Sequence, residues 1–422
     1  MDRSSSVSWR EVVGYLSTVT LMLALRLLAA TLVCLLSSQA WGQLPEDPGP
    51  HPVGIESVDF SHPLAANNNV SARIHYPALT DGFGAPPDAA GGPYPVVIFI
   101  HGWFAPPAFY RKILDHVASY GFLVLGVGTE IGLTMNIPNA AHDAHALLYW
   151  AEEQGQDSSS FLHGMPADGP WTAWGHSYGG AAIFHMLEYE DRIDLIALME
   201  GFHFDLPAIA LFEGPMMSLG SSHDNIAPPH NNSRVFYDEA VSAERRVYPE
   251  IVGGGHNGSL DFPFGIDPMP HSEQHRLHRR YLGGFLRAER LGEENVYLHL
   301  FGSGHDGEPM TMEAVYWRPA LWIDVASNAP TMLTAGLVGV PGERSVLAWS
   351  TALNPVQGPA GGFGIDLRFG EAFHKQSFGP SGLFETTTAL PQLPPGETIH
   401  GQGMSVGGGA AQLTRIAEAT HP

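Results

Sequence analysis

Residues 171–189 read WTAWGHSYGGAAIFHMLEY, from Trp171 to Tyr189. Inside this stretch, Gly175-His176-Ser177-Tyr178-Gly179 is a G-x-S-x-G run, with a strand-like WTAW before it and a helix-like GAAIFHMLEY after it. A serine at such a junction sits on a nucleophile elbow. Glycines on either side leave room for a turn in which larger side chains would clash. The turn strains the serine backbone and lifts its hydroxyl above a sheet. The five residues alone are a weak signal, because the chain holds 49 glycines among 422 residues. The flanks give the motif its weight against the plainer reading of an ordinary strand-turn-helix. Ala181 and Ala182 would let the following helix lie close to the sheet.

Working outward, residues 95–100 (PVVIFI) and 122–127 (FLVLGV) are nearly unbroken apolar runs, which suit central strands covered on both faces. Residues 70–76 (VSARIHY) alternate and read as an early strand. Residues 193–199 (IDLIALM) and 215–219 (PMMSL) supply two further strands. Between them, residues 109–119 and 139–153 carry helical spacing, the second with Ala141, Ala144, Leu148 and Ala151 on one side. Residues 275–291 read as a closing helix. This strand–helix alternation predicts an α/β domain with a mostly parallel sheet over residues 43–302. Past Gly302 no convincing amphipathic helix appears. Short β-prone runs at 320–325, 345–349 and 364–369, with a glycine cluster at 407–409, predict a β-rich module over 303–422, small-sandwich in style. Every candidate catalytic residue precedes that change of character, so the module is expected to be dispensable for hydrolysis of a small ester.

The first 42 residues have the order of a secretory signal: Arg3 and Arg10, an apolar run at 21–36 interrupted by Arg26, then small residues at Ala40 and Gly42. An uncleaved anchor is the rival reading. The single cysteine, Cys34, falls inside the leader, so the mature chain is expected to carry no disulfide and to be secreted or periplasmic. The formal net charge is −23, from 43 acidic and 20 basic residues, and only Lys112 and Lys375 are lysines. Nothing here would neutralise a phosphate backbone, which excludes nucleic acid as the natural partner and disfavours an anionic membrane surface. No stable membrane partner is expected after signal cleavage. The 22 histidines show no H-E-x-x-H or paired short spacing, so neither a metal nor any other cofactor is expected. The sequence does not fix an oligomeric state.

A serine hydroxyl needs a histidine as general base and a carboxylate to hold that histidine's tautomer. In a fold of this kind the chain order is serine, acid, histidine. His256 lies in Gly253-Gly254-Gly255-His256-Asn257-Gly258, a loop flexible enough to carry an imidazole over the elbow. His230, His271 and His275 are less well placed, and His223 suits a rim contact. Asp224 leaves the strand at 215–219 and fits the acid. Glu200, at the end of the strand at 193–199, is the alternative acid, and Asp194 lies at that strand's wrong end. Two backbone N–H groups should receive the developing oxyanion: that of Tyr178, just after the nucleophile, and that of Trp103, in the loop His101-Gly102-Trp103-Phe104. The side chains of Trp103, Tyr178, Phe104, Tyr110 and Phe202 are candidates for an apolar substrate pocket.

The stretches at 96–127, 174–182 (WGHSYGGAA), 222–228 (SHDNIAP) and 253–258 (GGGHNG) resemble a bacterial serine esterase of the α/β-hydrolase superfamily. The similarity is to the group containing chlorophyllases, platelet-activating-factor acetylhydrolases and cutinase-like polyester hydrolases. It spans roughly residues 54–302. It implies the α/β-hydrolase fold, Ser177, Asp224 and His256 as triad, and the Trp103 and Tyr178 amides as oxyanion hole. Two departures point away from cutin or plastic hydrolysis. The stretch after residues 193–199 reads Met199-Glu200-Gly201-Phe202-His203-Phe204, where the polyester branch has a tryptophan and a proline-rich run. The C-terminal disulfide of that branch has no counterpart either.

The leading expectation is a secreted carboxylic-ester hydrolase working through an acyl-enzyme, on a small-molecule or polymeric ester and most readily on small or apolar ones. The alternatives are a polyester hydrolase or lipase, an amidase, and a non-catalytic binding protein on a hydrolase scaffold. The elbow serine argues against haloalkane or epoxide chemistry, which would want an aspartate nucleophile.

Overall fold

A computed structural model describes residues 44–421, apart from 133, 318, 327–330, 352–369, 391–393, 395 and 408–409. The expected signal segment with Cys34, the β-prone run at 364–369 and most of the glycine cluster lie outside the described residues. The described residues from Pro45 onward form one compact unit.

Its centre is a ten-stranded sheet. Chain entry is by β1 (Val53–Phe60), which pairs antiparallel with β2 (Val70–Pro77) and parallel with the two-residue β3 (Gly82–Phe83). The apolar runs become β4 (Val96–Ile100) and β5 (Leu123–Val127), with all side-chain positions buried. Val97 and Phe99 enter one core, while Val96, Ile98 and Ile100 enter the other. Burial on both faces is why these strands lack polar alternation. Each such side chain contributes about 1.5–3 kcal/mol when removed from water.

The elbow strand β6 (Trp171–His176) lies beside β4, and β7 (Ile193–Met199), β8 (Met216–Ser221) and β9 (Arg245–Ile251) continue the parallel set. The antiparallel β10 (Met310–Tyr316) closes the edge, giving the order β10-β9-β8-β7-β6-β4-β5-β2-β1-β3. Flanking helices are α1 (Arg111–Ser119), α2 (Ile137–Gln156), α3 (Tyr178–Met186), α4 (Ser233–Glu239) and α5 (His271–His278). α2 starts where the Asn136 side chain accepts from the Asn139 N–H at 3.1 Å, with proline in its first turn. Helical structure continues past α5 to Leu291, through π-type turns over Arg279–Gly283 and Arg287–Leu291. This is the expected closing helix, begun four residues early.

Beyond the main sheet, Ala320–Ala326, Met332–Val338 and Leu383–Ala389 form a three-stranded sheet. Arg344–Ser350 sits between Gly370–Ser377 and Thr398–Gly407 in a second sheet. Leu321, Ile323, Leu333, Leu337, Leu347 and Ile399 share a core between the two, a small sandwich. The main sheet does not stop at the change of composition near Gly302, since β10 lies beyond it. Along Ala320–Ala326 the sides alternate: Leu321, Ile323 and Val325 enter the sandwich core, whereas Ala320 and Trp322 enter the core beneath the main sheet. Trp322 is fully buried, and its indole N–H donates to Glu385 at 2.8 Å.

Candidate active site

Ser177 stands between β6 and α3 with φ 52° and ψ −122°, a left-handed conformation costly for any residue but glycine. The two motif glycines make it attainable. A Cβ on Gly179 would lie 2.0 Å from the Ile100 carbonyl oxygen, and one on Gly175 would lie 2.6 Å from the Gly179 carbonyl carbon. The Ser177 N–H donates to the Met199 carbonyl at 3.1 Å, and its own carbonyl accepts from the Phe202 N–H at 2.8 Å. The end of β7 therefore holds the serine from both sides.

His256 Nε2 lies 2.9 Å from Ser177 Oγ, and His256 Nδ1 lies 2.7 Å from Asp224 Oδ2. The carboxylate selects the tautomer with the proton on Nδ1, which leaves Nε2 free to accept the serine proton. The other oxygen, Asp224 Oδ1, accepts from the Ile226 and Ala227 N–H groups at 2.9 and 2.7 Å. This Asx-type turn fixes the carboxylate with its second oxygen toward His256. All three residues are buried, at 4, 4 and 8% exposure for Ser177, Asp224 and His256, so water screens these contacts little. The arrangement is a Ser-His-Asp catalytic triad of the kind that serine hydrolases use for acyl-enzyme chemistry.

The loop after β4 runs against the serine. A Cβ on Gly102 would lie 2.6 Å from His176 Nδ1 and 3.1 Å from Ser177 Cβ. Trp103 follows it directly, and Phe104 has φ 63°. Tyr178 is the first residue of α3, where an N–H has no partner one turn back in the helix.

Tyr110, expected at the pocket wall, is instead fully buried beneath this loop. Its hydroxyl accepts from the Gly102 N–H at 3.2 Å and lies 2.7 Å from His176 Nδ1. His176 Nε2 lies 2.9 Å from the His256 carbonyl oxygen. Burial, and then the neighbouring His256, hold His176 well below the ordinary histidine range. A neutral ring fits both contacts, with Nδ1 accepting from Tyr110 and Nε2–H donating to His256. A chain of hydrogen bonds thus joins the loop over the elbow to the loop that carries the base. Sequence reasoning missed it, although His176 lies inside the motif.

Glu200, the alternative acid, does not contact His256 through any hydrogen bond among the described residues. It is buried and accepts from Ser221 Oγ at 2.6 Å and from His278 Nε2 at 3.0 Å. His223 and His230 are exposed, His271 lies in α5 with Nε2 2.7 Å from the Leu260 carbonyl, and Asp194 pairs with Arg290 at the entering end of β7. Trp103 and Phe104 expose about half of their surface, 52 and 58%. The Tyr178 and Phe202 rings meet edge to face at 4.9 Å, with Phe204 against both. Ile226, two residues after Asp224, is also exposed. Among the described residues no group of three or more histidine, cysteine, aspartate or glutamate side chains is arranged to hold a metal ion. No helix among them is long and apolar enough to cross a membrane.

Residues 83–199 match the protein family described as chlorophyllase. Chlorophyllase-1 of Arabidopsis thaliana is 26% identical over 201 residues, covering 40% of this chain and 60% of that protein. Chlorophyllase-2 of the same plant is 22% identical over 267 residues, covering 53% of this chain and 81% of that protein. The chain is thus an α/β-hydrolase superfamily protein related, at low identity and partial coverage, to the plant chlorophyllases. The family match contains the elbow and ends at Met199, so Asp224 and His256 rest on their geometry.

Proposed function

We propose that the protein is a carboxylic-ester hydrolase with Ser177 as nucleophile, His256 as general base and acid, and Asp224 as the carboxylate that orients His256. The observation that carries this reading is the unbroken contact from Asp224 through His256 to Ser177. Ser177 Oγ attacks the ester carbonyl carbon as His256 Nε2 takes its proton. The charge that develops on the carbonyl oxygen is received by the N–H groups of Trp103 and Tyr178. The C–O bond to the alcohol breaks, and His256 returns its proton to the departing oxygen. Water, deprotonated by the same nitrogen, then releases the acid and restores the serine.

The exposed aromatic side chains of Trp103 and Phe104, with the half-buried Phe202, support an apolar ester. The relatives' name refers to chlorophyll, so chlorophyll belongs in the substrate panel. The finer likeness to platelet-activating-factor acetylhydrolases and polyester hydrolases rests on the sequence stretches that resemble them. The basic, apolar and small-residue order of residues 1–42 supports export.

The test is a panel of p-nitrophenyl esters of increasing acyl length with the matching anilides, extended by chlorophyll. Hydrolysis of at least one ester, faster than its anilide and abolished by Ser177→Ala, is expected. Turnover that survives Ser177→Ala in a pure preparation would contradict the reading.

A further inference from the structure

We propose that Glu200 and His278 form a buried charged pair that positions the nucleophile and the general base relative to each other. The inference rests on the ester-hydrolase reading of the same site. Both side chains are fully withdrawn from solvent, and the triad uses neither. Glu200 is one of four non-glycine residues with positive φ among the described residues, at 42°, a conformation that costs about 1–3 kcal/mol and persists only where its surroundings enforce it. It occupies the gap between the two groups that hold the nucleophile: Met199 accepts from the Ser177 N–H at 3.1 Å, and Phe202 donates to the Ser177 carbonyl at 2.8 Å. Any shift of Glu200 moves that clamp.

The other half of the pair faces the base. His278 Nδ1 lies 2.7 Å from the Gln274 carbonyl oxygen, and Nε2 lies 3.0 and 3.2 Å from the two Glu200 oxygens. Acceptors on both nitrogens, one of them a carboxylate, favour the doubly protonated ring. Burial works against that charge, but the Glu200 carboxylate outweighs it and raises His278 above the ordinary histidine range. The loop that carries His256 rests on this assembly. The Gly255 N–H donates to Gln274 Oε1 at 3.0 Å. A Cβ on Gly258 would lie 3.1 Å from His278 Cε1, and one on Gly254 would lie 3.0 Å from Ser221 Oγ. Ser221 Oγ in turn donates to Glu200 Oε1 at 2.6 Å. Serine and histidine both donate to the carboxylate, so this is not a second catalytic triad: Ser221 has no base beside it. The fields of Glu200 and His278 also reach Tyr110 and His176 respectively, the bridge between the oxyanion loop and His256. One pair therefore ties the end of β7 to α5 and to the base loop, and breaking it should misplace Ser177 relative to His256.

The experiment is the rate of covalent labelling by a fluorophosphonate over a range of probe concentrations, which separates the maximal labelling rate from probe affinity. Displacement of catalytic groups by about 1 Å costs up to roughly 100-fold. Glu200→Gln and His278→Leu, each with native near-UV circular dichroism, should therefore lower the maximal rate about 10- to 100-fold with affinity unchanged. His278→Gln keeps a donor where Nε2 was and should recover most of the rate. The Glu200→Gln/His278→Leu double variant should be no slower than the slower single one, because the two residues act as a unit. Should Glu200→Gln not fold, Ser221→Ala removes one donor from the carboxylate and should itself slow maximal labelling severalfold. Folded variants that label at the wild-type maximal rate, or that lose only affinity, would overturn the positioning role and leave the ester-hydrolase reading intact. Wild-type protein that does not label would overturn both.

Discussion

At the scale of single residues, two contacts carry the chemistry and one buried chain supports them. His256 depends on Asp224 for its tautomer, because Nδ1 and not Nε2 faces the carboxylate. Asp224→Asn keeps the shape but lets the amide favour the wrong tautomer. Turnover on a soluble ester is expected to fall about 10⁴-fold, as in a comparable triad, with KM little changed. Steady-state kinetics on the folded variant checks this, and a loss below about tenfold would move the acid elsewhere. Tyr110→Phe tests the bridge. It leaves the Gly102 N–H and His176 Nδ1 without the hydroxyl they share, at a cost of about 1–3 kcal/mol for a buried unsatisfied group. A lower melting temperature together with a lower kcat is expected. An unchanged kcat would mean that the bridge serves stability alone.

At the scale of elements, the elbow works because glycine is the only residue its neighbours admit. Gly179→Ala would drive a Cβ to 2.0 Å from a backbone oxygen of β4, which no rotamer change relieves. A loss of about 3 kcal/mol or more is expected from the urea midpoint. Gly132→Ala, whose nearest neighbour would be 4.0 Å away, should change stability by less than about 0.5 kcal/mol. Equal stability of the two variants would refute the steric account. The strands that were legible in the sequence are those whose burial leaves a local mark. β4 and β5 are apolar throughout, and β6 announces itself by the motif at its end. β9 is hidden because Arg245, Arg246, Pro249 and Glu250 break its apolar pattern; Arg245 is instead paired with Glu289. β10, MTMEAVY, lies beyond the change of composition, so composition assigns it to the C-terminal module and not to the main sheet. The triad was legible because an elbow, a strand exit and a glycine-rich loop each have a local signature. The Tyr110–His176 and Glu200–His278 contacts join residues 66 and 78 positions apart, with no periodicity to betray them.

At the scale of the whole molecule, the C-terminal region and the main sheet share structure. Removing residues 302–422 would strip β10 from β9 and uncover the core that receives Trp322 and Val338. Loss of one buried tryptophan alone costs about 3–5 kcal/mol, against a typical total of about 5–15. Contrary to the expectation from composition, the truncated chain should not recover a cooperative thermal transition or esterase activity; an active, cooperatively folding truncation would contradict this.

Buried histidines set the response to acid. Burial holds His75, His101, His116, His176, His275, His299 and His305 below their ordinary value of 6.5, His116 down to about 3. As pH falls from 6.5 toward those depressed values, the unfolded chain takes up protons that the folded chain refuses, so stability falls. His278 has the opposite sign: its contribution is complete below 6.5 and is lost as pH rises through its raised value. The more numerous depressed groups should dominate, and the urea midpoint is expected to drop between about pH 7 and 5. A flat or rising midpoint would contradict the burial account.

The most direct test of the central claim is the intact mass of the whole chain after reaction with a fluorophosphonate, followed by peptide mapping. The predicted result is one adduct per chain, on Ser177, absent from Ser177→Ala and formed far more slowly by Asp224→Asn. No adduct on folded protein, or an adduct on another residue that persists in Ser177→Ala, would contradict the assignment of Ser177, His256 and Asp224 as the catalytic machinery.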